Sequence, residues 1–132
     1  MSVMNENKYK IRIETWILIL AVCTLIWQVY ESNKQSKMHF FTIYTQRYQD
    51  IVINFPTDMD SDEFSLSTLD KKERESLLRW IRAYYLLCSE EYHLYHDGLV
   101  DKEVWKLWEA GMTVAFRNSV YKEAWGLIQS SP

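Results

Sequence analysis

The chain has 132 residues, which leaves room for one domain. Hydrophobic residues make up 48% and aromatic residues 15%, while three Gly and two Pro are few, and this composition indicates helices joined by short turns. The formal net charge is -3, and residues 31–132 carry 12 basic against 16 acidic side chains, so there is no basic stripe and nucleic acid is excluded as a partner.

The first predicted element is a membrane anchor. Residues 15–30 carry no charge, and as a helix they span about 24 Å, less than the roughly 30 Å of a hydrocarbon core. Ile11 and Ile13 extend the apolar surface by one turn. Aromatic residues stand near both ends, as in interfacial belts: Trp16, Trp27 and Tyr30. We predict a tail over 1–14, a transmembrane helix over 15–30 and a helical domain over 31–132.

Three alternatives to an anchor fit the sequence less well. A cleaved signal needs small residues after the apolar run, and residues 31–34 do not provide them. A lipobox ending at Cys23 has a poor Val before it, and the apolar run continues beyond. A core helix is disfavoured because residues 15–30 are apolar on every side. With Cys23 in the anchor and Cys88 far away, a disulfide framework is excluded.

The basic residues that flank the anchor are nearly balanced, three on each side within about 17 residues. Because the difference in charge is so small, we predict the cytoplasmic side for the domain by a slight preference only.

The anchor is predicted to continue as a long helix, because no Gly or Pro occurs between Thr15 and Phe55. Pro56 ends it. The apolar stripe of this segment has helical spacing: Phe41, Tyr44, Tyr48, Ile51 or Val52, and Phe55.

Residues 56–67 are predicted to form an acidic linker. Asp58, Asp60 and Asp62 match the first half of a calcium loop, but Glu63 replaces the required Gly and Leu69 the required Glu. This pattern favours an ordinary solvated loop.

A second helix is predicted after a cap at Ser67, Thr68 or Asp70, and it ends at Gly98. Its inward stripe is predicted to comprise Leu77, Ile81, Tyr84, Cys88, Tyr92 and Tyr95, widened by Leu78, Tyr85 and Leu94.

Asp101 is predicted to cap a third helix, with Val100 and Trp105 as a hydrophobic staple. Gly111 either weakens this helix or permits close approach of another backbone. Asn118 or Ser119 caps a last helix. The inward residues of the two are predicted to be Trp105, Trp108, Met112 and Phe116, then Tyr121, Ala124, Trp125 and Ile128. The alternative for the aromatic stripe of the third helix, together with Trp125, is an exposed contact surface for a partner or for the bilayer. The fold class is therefore all-α, a transmembrane helix followed by a small antiparallel helical bundle.

Ligand-type side chains cluster at the end of the second helix: Cys88, Glu90, Glu91, His93, His96 and Asp97. Glu90 and His93 have the spacing of a di-iron motif, but no second copy exists. His93 and His96 lie one turn apart and lack evident further zinc ligands. A polar helix end is the favoured interpretation. We predict no catalytic, cofactor-binding or metal-binding residues and no enzyme activity.

Four stretches resemble a group of uncharacterised bacterial proteins that pair an N-terminal membrane helix with a small helical domain. They are Tyr44-x-x-Arg47-Tyr48-x-x-Ile51, the run from Tyr84 to Tyr92, Gly98-Leu99-Val100-Asp101, and Trp105-x-x-Trp108-x-x-Gly111. The resemblance spans roughly residues 12–128. It implies a bacterial source and this architecture, and no activity.

We therefore expect a non-enzymatic, membrane-anchored interaction module in a bacterial inner membrane, in contact with the lipid bilayer and with a protein partner or further copies of itself. The alternative is a membrane-perturbing effector such as a small toxin or phage-exclusion protein, with Thr24 and Gln28 lining a contact between helices.

Overall fold

The computed structural model describes residues 2–130, with side chains at Lys10 and at 12–130. Within that part, four helices and one 3-10 turn occur and no strand, which confirms the all-α prediction. The helices are α1 (Ser2–Val52), α2 (Lys71–His96), α3 (Lys102–Arg117) and α4 (Ser119–Gln129), and the 3-10 turn is Leu66–Thr68. The chain divides into two compact units, Met1–Ser36 and Lys37–Pro132.

The first unit is helical and includes residues 2–14 of the predicted tail. Among the described residues, one helix is long and apolar enough to cross a membrane, with an 18-residue window of mean hydropathy 1.7 inside Arg12–Val52 and none of it buried. The Thr24 hydroxyl forms its hydrogen bond within α1, since Oγ1 donates to the Leu20 carbonyl at 2.8 Å.

In the second unit, α1 ends at Val52, close to the predicted end. The Phe55 N–H donates to the Val52 carbonyl at 3.0 Å, and Pro56, which lacks an N–H, follows. The acidic segment 56–67 is solvated only in part. Its acidic side chains are exposed, whereas Met59, Phe64 and Leu66 are buried in the core. Apolar side chains among the acids therefore attach the segment to the bundle.

Helix α2 begins with a reciprocal cap. Asp70 accepts a hydrogen bond from the Glu73 N–H at 2.9 Å, and the Glu73 carboxylate accepts one from the Asp70 N–H at 3.4 Å. Two expectations for its inward face were wrong. Tyr92 is half-exposed, and Leu87, which was not predicted, is fully buried.

At the other end of α2, Gly98 has φ +71°, in the left-handed region. Its N–H donates to the Tyr95 carbonyl at 3.0 Å, and the Leu99 N–H donates to the Leu94 carbonyl at 2.9 Å. These two bonds form a Schellman motif, as the position of the glycine predicted.

Ring contacts define how the bundle is arranged. Tyr95 stacks on Trp105 with centroids 5.1 Å apart, and Tyr84 meets Phe116 at 6.0 Å, so α2 and α3 run antiparallel. The bundle part of α1 crosses α2 in the same antiparallel sense, because Tyr48 contacts Tyr84 at 6.2 Å while Tyr44 bonds Glu90.

A single residue, Asn118, joins α3 to α4. Its Oδ1 accepts from the Val120 N–H at 2.9 Å and caps α4 as predicted. Its Nδ2 donates to the Met59 carbonyl at 3.0 Å. Asn118 thereby fixes both the helix junction and the buried part of segment 56–67.

The prediction for Asp101 was half right. It stands at the N-cap position of α3, but its side chain makes no capping hydrogen bond. Its Oδ1 accepts instead from Lys37 Nζ at 2.5 Å. An ion pair between α1 and α3 takes the place of the cap.

Candidate functional site

The structure separates the ligand-type cluster at the end of α2. Glu90 is half-buried against α1, whereas Cys88 and Glu91 are buried in the core. His93 and His96 are exposed. In the part of the chain that the structure describes, no three His, Cys, Asp or Glu residues come together to hold a metal ion.

Glu90 is held by two residues of α1. Arg47 donates to its carboxylate from Nη1 and from Nη2, the latter to Oε1 at 3.3 Å. The Tyr44 hydroxyl donates to Oε2 at 3.0 Å, and the Arg47 guanidinium lies 5.1 Å from the centre of the Tyr44 ring. The hydrogen bonds from Arg47 lower the pKa of Glu90, and the bond from Tyr44 adds to this.

The sequence did not predict that Tyr44, Arg47 and Glu90 come together. The available signal was the three-residue spacing between Tyr44 and Arg47, which places both on one face of α1. The spacing did not reveal which residue of α2 they would meet.

Among the residues that the structure describes, Glu91 is the charged side chain that is buried, with 4% of its surface exposed. Burial raises the pKa of its carboxyl to about 7; Arg47 acts in the opposite direction, and Glu90 raises it further. No ion pair in the described part of the chain includes its carboxyl. The buried carboxyl therefore keeps its proton to a higher pH than an exposed glutamate does.

Cys88 is buried one turn before Glu91. Burial, and then the adjacent Glu91, raise the pKa of the Cys88 thiol to about 12. Since the thiolate is the nucleophilic form, Cys88 is an inert thiol at neutral pH.

A shallow groove of about 280 Å³ lies beside the Arg47–Glu90 pair. Its walls come from both helices: Arg47, Asp50 and Ile51 of α1, and Ala83, Leu86 and Glu90 of α2. The groove is open to solvent, and one of its two carboxylates, that of Glu90, is bound by Arg47.

Helix α3 has two faces of different character. Trp105, Trp108 and Met112 are half-buried towards the other helices. On the opposite side, Leu107 and Val114 are 67% and 69% exposed. We call Leu107, Ala110, Gly111 and Val114 the outer strip of α3; the spacing of i, i+3, i+4 and i+7 places all four on one face.

The outer strip has room for a neighbour. A Cβ built on Gly111 would meet nothing within 4 Å, so the glycine makes no close approach to another part of the described chain. Close approach of another backbone, one of the two alternatives for this glycine, is therefore not seen among the described residues, and these residues leave the strip uncovered.

Comparisons of the chain with family models, with curated proteins and with solved structures found no match. The resemblance to bacterial membrane proteins with a small helical domain stays a prediction.

Proposed function

We propose that this chain is a membrane-anchored, non-enzymatic protein-interaction module of a bacterial inner membrane. Residues 15–30 cross the bilayer, and the bundle faces the cytoplasm and binds a protein through α3. The partner is another protein or a further copy of the chain.

The anchor half of the proposal is supported by α1. Its apolar window is exposed along its whole length, and large side chains such as Leu18, Leu20 and Ile26 are 65–66% exposed. A helix with apolar residues on all sides is stable in hydrocarbon and costly in water.

The interaction half depends on one observation, the outer strip of α3. A surface helix of a globular protein normally turns polar residues outward, whereas here leucine and valine stand opposite the packed face. Covering this strip removes apolar surface from water, and the small residues Ala110 and Gly111 leave room for a second helix to approach closely. The absence of a reactive thiolate at Cys88 and the engagement of Glu90 by Arg47 fit a binding role better than a catalytic one.

Site-specific photocrosslinking in native membranes tests this proposal. A photoreactive side chain at Leu107 or Val114 of the full chain is expected to give a discrete protein adduct, and one at exposed Arg82 on α2 is not. Leu107→Glu should abolish the adduct formed from Val114. An adduct of twice 15.9 kDa identifies a second copy, and another mass identifies a different protein. Equal labelling at all three positions, or none, contradicts the proposal.

A second function, a membrane-perturbing effector, is favoured by the polar residues in the exposed apolar helix, Thr24 and Gln28. It predicts that induced expression slows growth or collapses the membrane potential, alone or under phage challenge. Unchanged growth and potential in both conditions contradict it.

A further inference from the structure

Gln28 is an unusual residue for its position in α1. It lies three residues before Glu31, so its Cα is roughly 4.5 Å inside the first charge after the apolar run. Side chains on a helix lean towards its N-terminus, which directs the amide further into the run. Because the run is shorter than a hydrocarbon core, a bilayer that covers residues 15–30 also covers this amide.

The two polar side chains of this run, Thr24 and Gln28, differ in their hydrogen bonds. Thr24 donates to the Leu20 carbonyl of its own helix. Within the described chain, the Gln28 amide makes no hydrogen bond, and its side chain is exposed. A primary amide carries two donors and an acceptor, and leaving them unpaired in hydrocarbon is costly.

Small residues accompany Gln28 on one face of α1. With about 100° between successive residues, Ala21 and Thr24 lie within about 40° of Gln28. Cys23 and Ile26 lie about 140° and 160° away, on the opposite face. Alanine and threonine let two helices in a bilayer approach closely, and glutamine bonds across the contact.

We propose that the anchor pairs with a second copy of this chain, in parallel, through Ala21, Thr24 and Gln28, with the two Gln28 amides bonded to each other. The partner that best matches this face of the anchor is a second copy of the chain. Two copies inserted in the same direction hold Gln28 at equal depth, and an amide is its own complement because it both donates and accepts. This inference rests on the proposed membrane anchor, and it adds that the anchor forms a parallel dimer.

Oxidative crosslinking of the full chain in membranes tests the face, and the native cysteine provides the control. Ala21→Cys combined with Cys23→Ser places one anchor thiol on the proposed contact, whereas the wild type carries Cys23 on the far face. Cys88 is buried and common to both proteins. The variant is expected to form a disulfide-linked dimer and the wild type is not, because a disulfide needs Cα atoms about 4.4–6.8 Å apart. Equal crosslinking of the two proteins, or none, overturns the inference.

Substitutions at residue 28 test the amide. Added to the Ala21→Cys, Cys23→Ser chain, Gln28→Leu should raise by about tenfold the protein-to-lipid ratio needed for half-maximal dimer, whereas Gln28→Asn retains most of the pairing. An unchanged ratio in Gln28→Leu overturns the role of the amide.

An alkaline carbonate wash distinguishes the two levels of the proposal. Protein retained in the membrane that fails to crosslink overturns the pairing and leaves the anchor intact. Protein released by the wash overturns the anchor and the pairing together.

Discussion

Arg47 in α1 binds Glu90 in α2 through two guanidinium nitrogens, and the carboxylate also accepts a hydrogen bond from Tyr44. The residue whose spacing with His93 suggested a metal ligand is therefore used to join two helices. Each partner is somewhat less than half exposed, so this ion pair is partly shielded from water.

The Arg47–Glu90 pair is expected to contribute measurable coupling to stability. In a double-mutant cycle with Arg47→Ala and Glu90→Ala, we expect a coupling of about 1 kcal/mol that decreases in high salt. The matched control is Lys71–Glu75, an exposed pair at 4.0 Å, for which we expect about 0.3 kcal/mol. Urea unfolding of the full chain in detergent, followed by tryptophan fluorescence, measures both. Equal coupling in the two pairs would contradict the prediction.

Glu91 should make stability depend on pH. Its pKa is raised in the folded state, from the ordinary 4.5 to about 7, so the folded chain holds the proton more tightly than the unfolded chain. The stabilisation that this bound proton gives the folded state is fully present below pH 4.5 and is lost as the pH rises through 7. Above that pH it changes no further. We expect the free energy of unfolding of Glu91→Gln, relative to wild type, to increase by about 2 kcal/mol between pH 5 and pH 8.

The same measurement on Glu90→Gln is the control for Glu91. The pKa of Glu90 is lowered in the folded state, so its stabilising contribution is present above its unfolded pKa and is lost as pH falls through the folded value. The difference in the free energy of unfolding between Glu90→Gln and wild type should therefore vary much less between pH 5 and pH 8 than that of Glu91→Gln, and only through the lesser contribution that Glu90 makes to the raised pKa of Glu91. A Glu91→Gln difference that is constant over this range would show that Glu91 is already ionised when folded.

Two glycine-to-alanine changes should shift stability in opposite directions. Gly98 has a positive φ, so Gly98→Ala is expected to cost about 1 kcal/mol, with Gly98→Asn costing less. Gly111 is inside α3, so Gly111→Ala should stabilise by about 0.5–1 kcal/mol. A Cβ at either position meets no atom within 4 Å, which leaves backbone conformation as the difference. Thermal unfolding with both shifts of the same sign would refute this assignment.

Asn118 should contribute through both ends of its amide. Asn118→Ala removes the cap of α4 and the bond to the Met59 carbonyl, and we expect a loss of about 1–2 kcal/mol. Asn118→Ser keeps a capping oxygen and lacks the donor to Met59, so it should recover about half of the loss. If serine and alanine are equally destabilising, the cap contributes nothing, and the bonds from Nδ2 to the Met59 carbonyl and to Asp60 Oδ1 carry the effect.

The helices were predictable because their signals are local. Pro56, Gly98 and Asn118 act on the backbone within a few residues, and the structure ends or begins a helix close to each. The antiparallel arrangement followed from the short connections between helices.

The core was less predictable, because burial depends on residues distant in sequence. Glu91 occupies a position on the buried face of α2, but a glutamate in a polar stretch reads as a solvated residue. Asp101 had the correct place for a cap, and Lys37, 64 residues earlier, takes its carboxylate. Spacing could predict neither the burial of Glu91 nor the pairing of Asp101 with Lys37, since a periodic pattern gives the face of a helix and not the neighbour that meets it.

The buried thiol of Cys88 gives the bundle an internal reporter of its own opening. A reagent that modifies thiolates has little access to the sulphur while α2 is packed, and burial raises the pKa of the thiol to about 12, so the packed state holds little of the reactive form. The rate of modification in the native state then follows the population of open molecules, without an added label. Cys23, in the other unit, is exposed and reports separately whether its surroundings are water or lipid.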